Sequence, residues 1–324
     1  MHACRHRKNA YICLRNDFNK YTFRKLKNRQ PMKHKSGFVN IIGNPNVGKS
    51  TFLNAVVGEP LAITTPKAQT TRHRILGIVN ANQYQIIFSD TPGIIKPAHQ
   101  LHESMMNFVK ESFDDADILL YMIETGEKNL KDEKLFEKIV HAQIPVLLLI
   151  NKIDVSRQEQ LDEMVNFWKE KIPNAEIYPI SALHGFGIDQ VLHRIIELLP
   201  ESPPYFGKDQ LTDKTERFIV NEKIREKILK HYKKEIPYAV EVDTEEFKEE
   251  KHLIKIRSII NVERESQKGI IIGHKGAGLK RIGSEARKDL ESFFNKKIFL
   301  ELYVKVNKDW RKKAEQLRKY GYRE

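Results

Sequence analysis

Cysteine is nearly absent from this 324-residue sequence. Cys4 and Cys13 are the whole supply, and both fall close to the N-terminus. No disulfide framework can therefore hold the body of the chain, which fits a reducing compartment. His2 and His6 lie beside these cysteines, but the spacing matches no zinc pattern and reads as idle residues of a tail. Long apolar runs are missing too. The longest, Pro145 to Ile150, has the length of a buried strand, far short of the roughly 18 residues that a spanning helix needs. The first forty residues also lack the continuous apolar core of a secretory leader. With 40% hydrophobic and 31% charged residues, the composition excludes disordered and fibrous classes and is that of a soluble globular chain. The expected location is the cytoplasm.

The chain has an uneven surplus of positive charge. Of the net +13, residues 1–36 contribute +10, residues 37–214 contribute −6 and residues 215–324 contribute +9. The basic 1–36 segment has little apolar periodicity and reads as a disordered arm or as sequence upstream of the natural start, with Met32 as the initiator. Its single serine, Ser36, argues against a transit peptide. An acidic middle followed by a basic C-terminal third predicts that the last third meets a polyanion. Anionic lipid on the inner face of the cell membrane is a second candidate for that basic face.

From Gly37 onward, apolar runs at 38–42, 75–80, 85–89, 117–123, 145–150 and 176–180 read as strands. Amphipathic stretches at 49–58, 101–114, 131–142, 158–171 and 188–199 read as helices between them. Such alternation predicts a mostly parallel sheet with helices on both faces. Pro200, Pro203, Pro204 and Gly207 then mark a linker over 200–214. Beyond it the order changes to a helix near 215–234, strands near 238–247 and 252–263, a helix at 277–294, a strand at 298–305 and a terminal helix from 308. Residues 215–324 thus read as a separate, smaller α+β domain after a domain at 37–199, and the chain as a monomer.

Gly43-Asn44-Pro45-Asn46-Val47-Gly48-Lys49-Ser50 follows the first strand and opens the first helix. Backbone N–H groups of such a loop converge on phosphates, and the positive end of the helix dipole adds to them. Lys49 is placed for the β- and γ-phosphates, Ser50 for Mg²⁺, and Thr51 continues the helix start. Asp90-Thr91-Pro92-Gly93 ends a strand beside this loop, so Asp90 is placed for the metal and the Gly93 amide for the γ-phosphate. Thr71, with Thr70 as its neighbour, is the candidate to complete the Mg²⁺ shell when the γ-phosphate is present. Asn151-Lys152-Ile153-Asp154 carries base selectivity: the Asp154 carboxylate can accept the N1–H and 2-amino protons of guanine, which adenine does not offer as a pair. Asn151 serves the O6 side and braces the phosphate loop, the stem of Lys152 covers the ring, and Ser181-Ala182-Leu183 supplies a backbone N–H for O6. These motifs in order on successive strand ends define a guanine-nucleotide site, an α/β P-loop GTPase with GTP or GDP and Mg²⁺ as its ligands.

The phosphate loop, Gln69-Thr70-Thr71-Arg72 and Asp90-Thr91-Pro92-Gly93 resemble the Era group of translation-factor-related GTPases. In Ras-like proteins a glutamine after the last glycine of the Asp-x-x-Gly motif orients the attacking water; Ile94 stands there, so intrinsic hydrolysis is expected to be slow. The resemblance implies a potassium ion at Asn46 that takes over an arginine's charge role. The other reading of Asn46 is a residue that only shapes the loop.

In the last third, Gly273-His274-Lys275-Gly276 sits between an isoleucine-rich run and Lys280-Arg281. A Gly-x-x-Gly turn between two helices, in the order α-β-β-α-α-β, is the type II KH arrangement that clamps about four nucleotides of single strand. His274, Lys275, Lys280 and Arg281 would supply donors and charge, and Ile270, Ile272 and Ile282 the groove floor. A GTPase followed by this domain resembles the Era family over residues 37–324. That resemblance implies the 3′ end of small-subunit rRNA and the small (30S) ribosomal subunit as partners, with a role in subunit assembly and 16S rRNA maturation.

Overall fold

The computed structural model describes residues 34–67 and 69–322. The readings of residues 1–33, including the cysteines and the choice of start, lie outside the described residues. The first domain runs β1 (Lys35–Ile42), α1 (Lys49–Val57), β2 (Ile75–Asn80), β3 (Tyr84–Asp90), α2 (Gln100–Asp114), β4 (Ile118–Glu124), α3 (Glu133–Val140), β5 (Val146–Asn151), α4 (Gln158–Lys171), β6 (Glu176–Pro179) and α5 (Ile188–Leu198). Its six strands are ordered β2-β3-β1-β4-β5-β6, parallel except for the antiparallel β2–β3 pair. β1 begins at Lys35, and Ser36 is fully buried, so two residues assigned to the N-terminal extension belong to the sheet. Pairing with Tyr84 and Gln85 on β3 outweighs their polar character.

β4 and β5 are buried along nearly their whole length, as central parallel strands must be when helices cover both faces. Phe52, Leu53, Val191 and Ile195 of α1 and α5 pack on one face. Met105, Leu135, Met164 and Trp168 of α2, α3 and α4 pack on the other. The 200–214 segment is no free tether. Leu211 accepts from Ile78 N at 2.8 Å and Asp213 from Leu76 N at 2.9 Å, so the segment satisfies the open edge of β2.

The second domain runs α6 (Glu216–His231), α7 (Ile236–Ala239), β7 (Glu241–Glu249), β8 (Leu253–Val262), α8 (Glu265–Ile272), α9 (Ala277–Phe294), β9 (Lys297–Val306) and α10 (Ala314–Lys319). β7 and β8 are antiparallel and β8 and β9 parallel. Val220, Ile224, Ile260, Ile282 and Leu290 belong to its own core. The expected terminal helix from 308 is a 3-10 turn at Trp310–Lys312 followed by the short α10. Asp309, with φ of +55°, breaks the helix start. Trp310, Leu317 and Tyr322 from this segment join the apolar cluster of the first domain, so the end of the chain fastens the two domains together.

Candidate nucleotide site and RNA clamp

The turn after β1 closes around glycines that no other residue could replace. A Cβ at Gly43 would lie 2.1 Å from the Met122 carbonyl oxygen, and one at Gly48, where φ is +107°, 2.1 Å from the Asn151 amide nitrogen. Backbone packing this close leaves the N–H groups free to face inward. α1 starts with no acidic residue in its first turn, which leaves the dipole's positive end uncompensated for an anion.

Lys49 is buried, and its ammonium donates to the carbonyls of Gly43 at 3.0 Å and Asn44 at 2.8 Å. Burial lowers its pKa to about 8, against the opposing pull of Asp90 and Glu127. A phosphate needs the protonated amine, so binding takes up a proton once the pH exceeds that value. Triphosphate affinity should therefore hold to about pH 7.5 and weaken as pH rises through 8. Fluorescent GTP-analogue titrations from about pH 7 to about pH 8.7 read this directly, and a flat profile would contradict it.

The Ser50 hydroxyl donates to Asp90 Oδ2 at 2.6 Å, and Thr71 Oγ1 lies 2.8 Å from Ser50 Oγ and 3.2 Å from Asp90 Oδ2. Asp90 Oδ1 is buried without a hydrogen-bond partner. Burial raises the Asp90 pKa, with Lys49, Ser50 and Thr71 opposing. Two hydroxyls around a carboxylate with one orphaned oxygen form a hard, all-oxygen donor set of the kind Mg²⁺ takes. Gly93 packs so closely on Pro45 that a Cβ would fall 2.7 Å from its Cα, which places that turn against the phosphate loop. Pro45, Asn46, Gly48, Ser50, Thr71 and Gly93 line the same cavity.

Ile94 is 1% exposed within the apolar cluster and cannot orient a water. Asn46, at φ +68°, donates its amide to the Pro66 carbonyl at 2.9 Å, the contact expected of a loop-shaping residue. Asn44 turns its side chain away from the cavity and bonds Glu127 and the Asn129 carbonyl, so it contributes backbone rather than side chain to the loop.

At the base end, Asn151 donates to the Val47 carbonyl at 2.7 Å and accepts from Ala182 N at 2.9 Å, tying three loops together. Ala182's N–H is thereby engaged by Asn151. Ser181 Oγ donates to Asp154 Oδ1 at 2.5 Å and orients that carboxylate. Lys152 pairs with Glu124 at the end of the neighbouring strand β4. Leu183 and Val155 stand exposed at its rim.

In the second domain, Gly273 (φ +72°), Lys275 (φ +48°) and Gly276 (φ +79°) form the turn between α8 and α9. His274, Lys275, Lys280 and Arg281 are gathered at this corner, outside the buried core. Of the three isoleucines expected to floor the groove, Ile282 is instead wholly buried in the domain core, while Ile270 is 50% exposed and Ile272 is half-buried. On α8 successive residues lie about 100° apart, so with Ile271 facing the core its neighbours Ile270 and Ile272 turn toward the surface, while Ile282 on α9 faces the core.

The family described as 50S ribosome-binding GTPase matches residues 38–152, and the KH domain family matches residues 235–311. The chain is 50% identical over 293 residues to the GTPase Era of Syntrophus aciditrophicus, covering 90% of this chain and 96% of that protein. It is 44% identical to the GTPase Era of Staphylococcus haemolyticus, covering 90% and 98%.

The chain belongs to the Era family of GTPases.

An Era crystal structure in complex with MgGDPNP and nucleotides 1506–1542 of 16S ribosomal RNA is 40% identical, with a TM-score of 0.85 over 89% of this chain and 99% of that one. A substituted Era of Aquifex aeolicus bound to GDP·AlF4⁻ matches with the same TM-score and identity. The residues that join the two domains are ones the sequence did not point to. Arg72 is 1% exposed and donates to the Val240 carbonyl at 2.7 Å, Glu241 at 3.0 Å and the Pro237 and Tyr238 carbonyls at 3.2 Å. Tyr322 donates to Glu241 at 3.0 Å and stacks on His73, ring centroids 4.2 Å apart. No local spacing signals these contacts, because the partners are more than 80 positions apart in sequence. Among the described residues, no helix is long and apolar enough to cross a membrane.

Proposed function

We propose that this protein is a GTP-driven switch that grips the single-stranded 3′ end region of small-subunit rRNA through its second domain and assists assembly of the small ribosomal subunit. The observation that carries this reading is that one loop serves both domains. Residues 65–72 line the phosphate cavity through Thr65, Thr70 and Thr71, and the same loop bonds the RNA-binding domain through Lys67 and Arg72. A loop ordered by the γ-phosphate would hold the domains in one arrangement and release it after hydrolysis. GTP acts on RNA binding only to the extent that it prefers that arrangement over GDP.

Lys49, Ser50, Thr71 and Asp90 hold the triphosphate and Mg²⁺, which supplies charge neutralisation at the transferring phosphoryl group. Asp154, Asn151 and the Ser181–Leu183 turn select guanine. Ile94 leaves water orientation to other groups, so hydrolysis by the protein alone is slow. The reading takes the protein as a monomer.

The test is binding of the purified protein to a single-stranded fragment of the small-subunit rRNA 3′ end with GTP analogue, GDP or no nucleotide. We expect at least about tenfold tighter binding with the analogue, about 1.4 kcal/mol of coupling. Equal affinities would remove direct coupling. Binding to anionic vesicles in place of RNA would redirect the basic face to a membrane.

A further inference from the structure

Thr71 is held from both sides by the other domain. Immediately before it, the Thr70 carbonyl accepts a hydrogen bond from Arg225 Nη2 of α6. Immediately after it, Arg72 sinks its guanidinium among Glu241 and the carbonyls of Pro237, Tyr238 and Val240. Further back in the loop, the Lys67 ammonium donates to the carbonyls of Leu229 and Tyr232, at the C-terminal end of α6, where the helix dipole favours a cation. Thr70 is braced within the loop as well, its hydroxyl donating to the Lys67 carbonyl at 2.5 Å and lying 2.8 Å from Thr65 Oγ1. The Thr71 side chain points the other way, toward Ser50 and Asp90.

We infer that Arg225, held by Glu222, is a positioning residue for GTP hydrolysis: the RNA-binding domain sets the place of Thr71 in the GTPase site. The geometry of α6 supports this. Val220, Ile224 and Ile228 on one side belong to the second domain's core, while Glu222 and Arg225 are buried away from it. Glu222 fixes the guanidinium bidentately, with Arg225 Nε and Nη2 each 2.7 Å from a carboxylate oxygen. The remaining nitrogen, Nη1, is buried without a partner. A buried ion pair with an unsatisfied donor is a poor stabilising device, and packed apolar side chains in its place would serve stability as well or better. What the pair achieves that apolar residues cannot is a directed bond to one carbonyl, next to the residue that reaches the metal. Arg225 is not among the residues that line the phosphate cavity and acts through Thr70.

This inference rests on Thr71 as a metal-contacting residue, and the experiment separates the two. In the full-length chain, the single change Arg225→Gln would strand a buried carboxylate, so the informative variant is the double Glu222→Leu/Arg225→Met, which removes both charges together. Lys67→Met breaks a second anchor at a partly exposed position. For the double variant, single-turnover GTP hydrolysis should fall about tenfold. The Mg²⁺ concentration for half-maximal rate should rise several-fold, while GDP affinity stays within about twofold. Lys67→Met should shift the same two quantities in the same direction, and Arg225→Lys should recover part of the loss. A purely structural role would lower GDP affinity and thermal stability together without changing the Mg²⁺ requirement, and that outcome overturns the proposal. So does a folded double variant with the wild-type rate and Mg²⁺ profile while Thr71→Ala is slow. If Thr71→Ala itself hydrolyses at the wild-type rate, the assignment of Thr71 fails, and the positioning role fails with it.

Discussion

Asp154→Asn should lower affinity for guanine nucleotides by about 3 kcal/mol, roughly 100-fold, and turn the preference toward xanthine nucleotides. The carboxylate can accept two protons from the guanine edge, and bonds to a charged acceptor contribute about 1.5–3 kcal/mol each. Asparagine keeps one acceptor and presents an N–H₂ to the 2-amino group, donor against donor. Xanthine carries a carbonyl at that position and accepts the new donor. The surroundings permit so clean an exchange. Ser181 Oγ, 2.5 Å from Oδ1, can still bond the amide oxygen, and Asn151 independently ties the phosphate loop to Ala182. Competition of GTP and XTP against a fluorescent nucleotide measures the change. An unaltered preference would remove Asp154 from the base site.

The second large effect concerns RNA. Gly276→Asp should reduce affinity for single-stranded RNA by more than about tenfold while leaving RNA-free GTP hydrolysis close to wild type and lowering stability by only about 1–2 kcal/mol. Both glycines of the turn have positive φ, but they are not equivalent. Gly273 sits at φ +72° with ψ 178°, a region essentially reserved for glycine, and a Cβ there would come within 2.9 Å of the Gly278 backbone nitrogen. Substitution at Gly273 would disturb the fold itself. At Gly276 the conformation is the left-handed helical one that aspartate tolerates at a cost of about 1–2 kcal/mol, and nothing lies within 4 Å of the new Cβ. A carboxylate there would face the phosphates that the turn is shaped to approach, beside His274 and the exposed Lys275. The salt dependence of binding supplies a second reading, because every phosphate that the turn no longer neutralises lowers the log–log slope by about 0.7. Wild-type affinity and slope for a folded Gly276→Asp protein would place the RNA elsewhere.

Much of this was legible in the residues themselves. Local motifs carry local chemistry: the phosphate loop, Asp90-Thr91-Pro92-Gly93, Asn151-Lys152-Ile153-Asp154 and the Gly-x-x-Gly turn each act within a few residues of a strand or helix end. Elements followed the same logic, because β4, β5, α1 and α4 have apolar patterns that match their burial. The misses have physical causes too. Lys35 and Ser36 look like the end of a basic tail but are captured by hydrogen bonding to β3, and pairing of this kind is invisible to composition. The end of the chain looks like one amphipathic helix, yet Asp309 breaks it and sends Trp310 and Tyr322 into the other domain.

The sequence by itself determined the chemistry: a guanine-nucleotide site, a set of oxygen ligands for a hard cation, and a basic turn for RNA backbone. Only the tertiary structure decided how these are connected. Arg72 and Arg225 are ordinary basic residues in the sequence, lying 153 positions apart. Folding brings both to the flanks of Thr71, where burial turns each guanidinium from a solvated charge into one that must find specific acceptors. That requirement arises from desolvation, and desolvation depends on which surfaces meet, a property of the packed molecule and not of any local pattern.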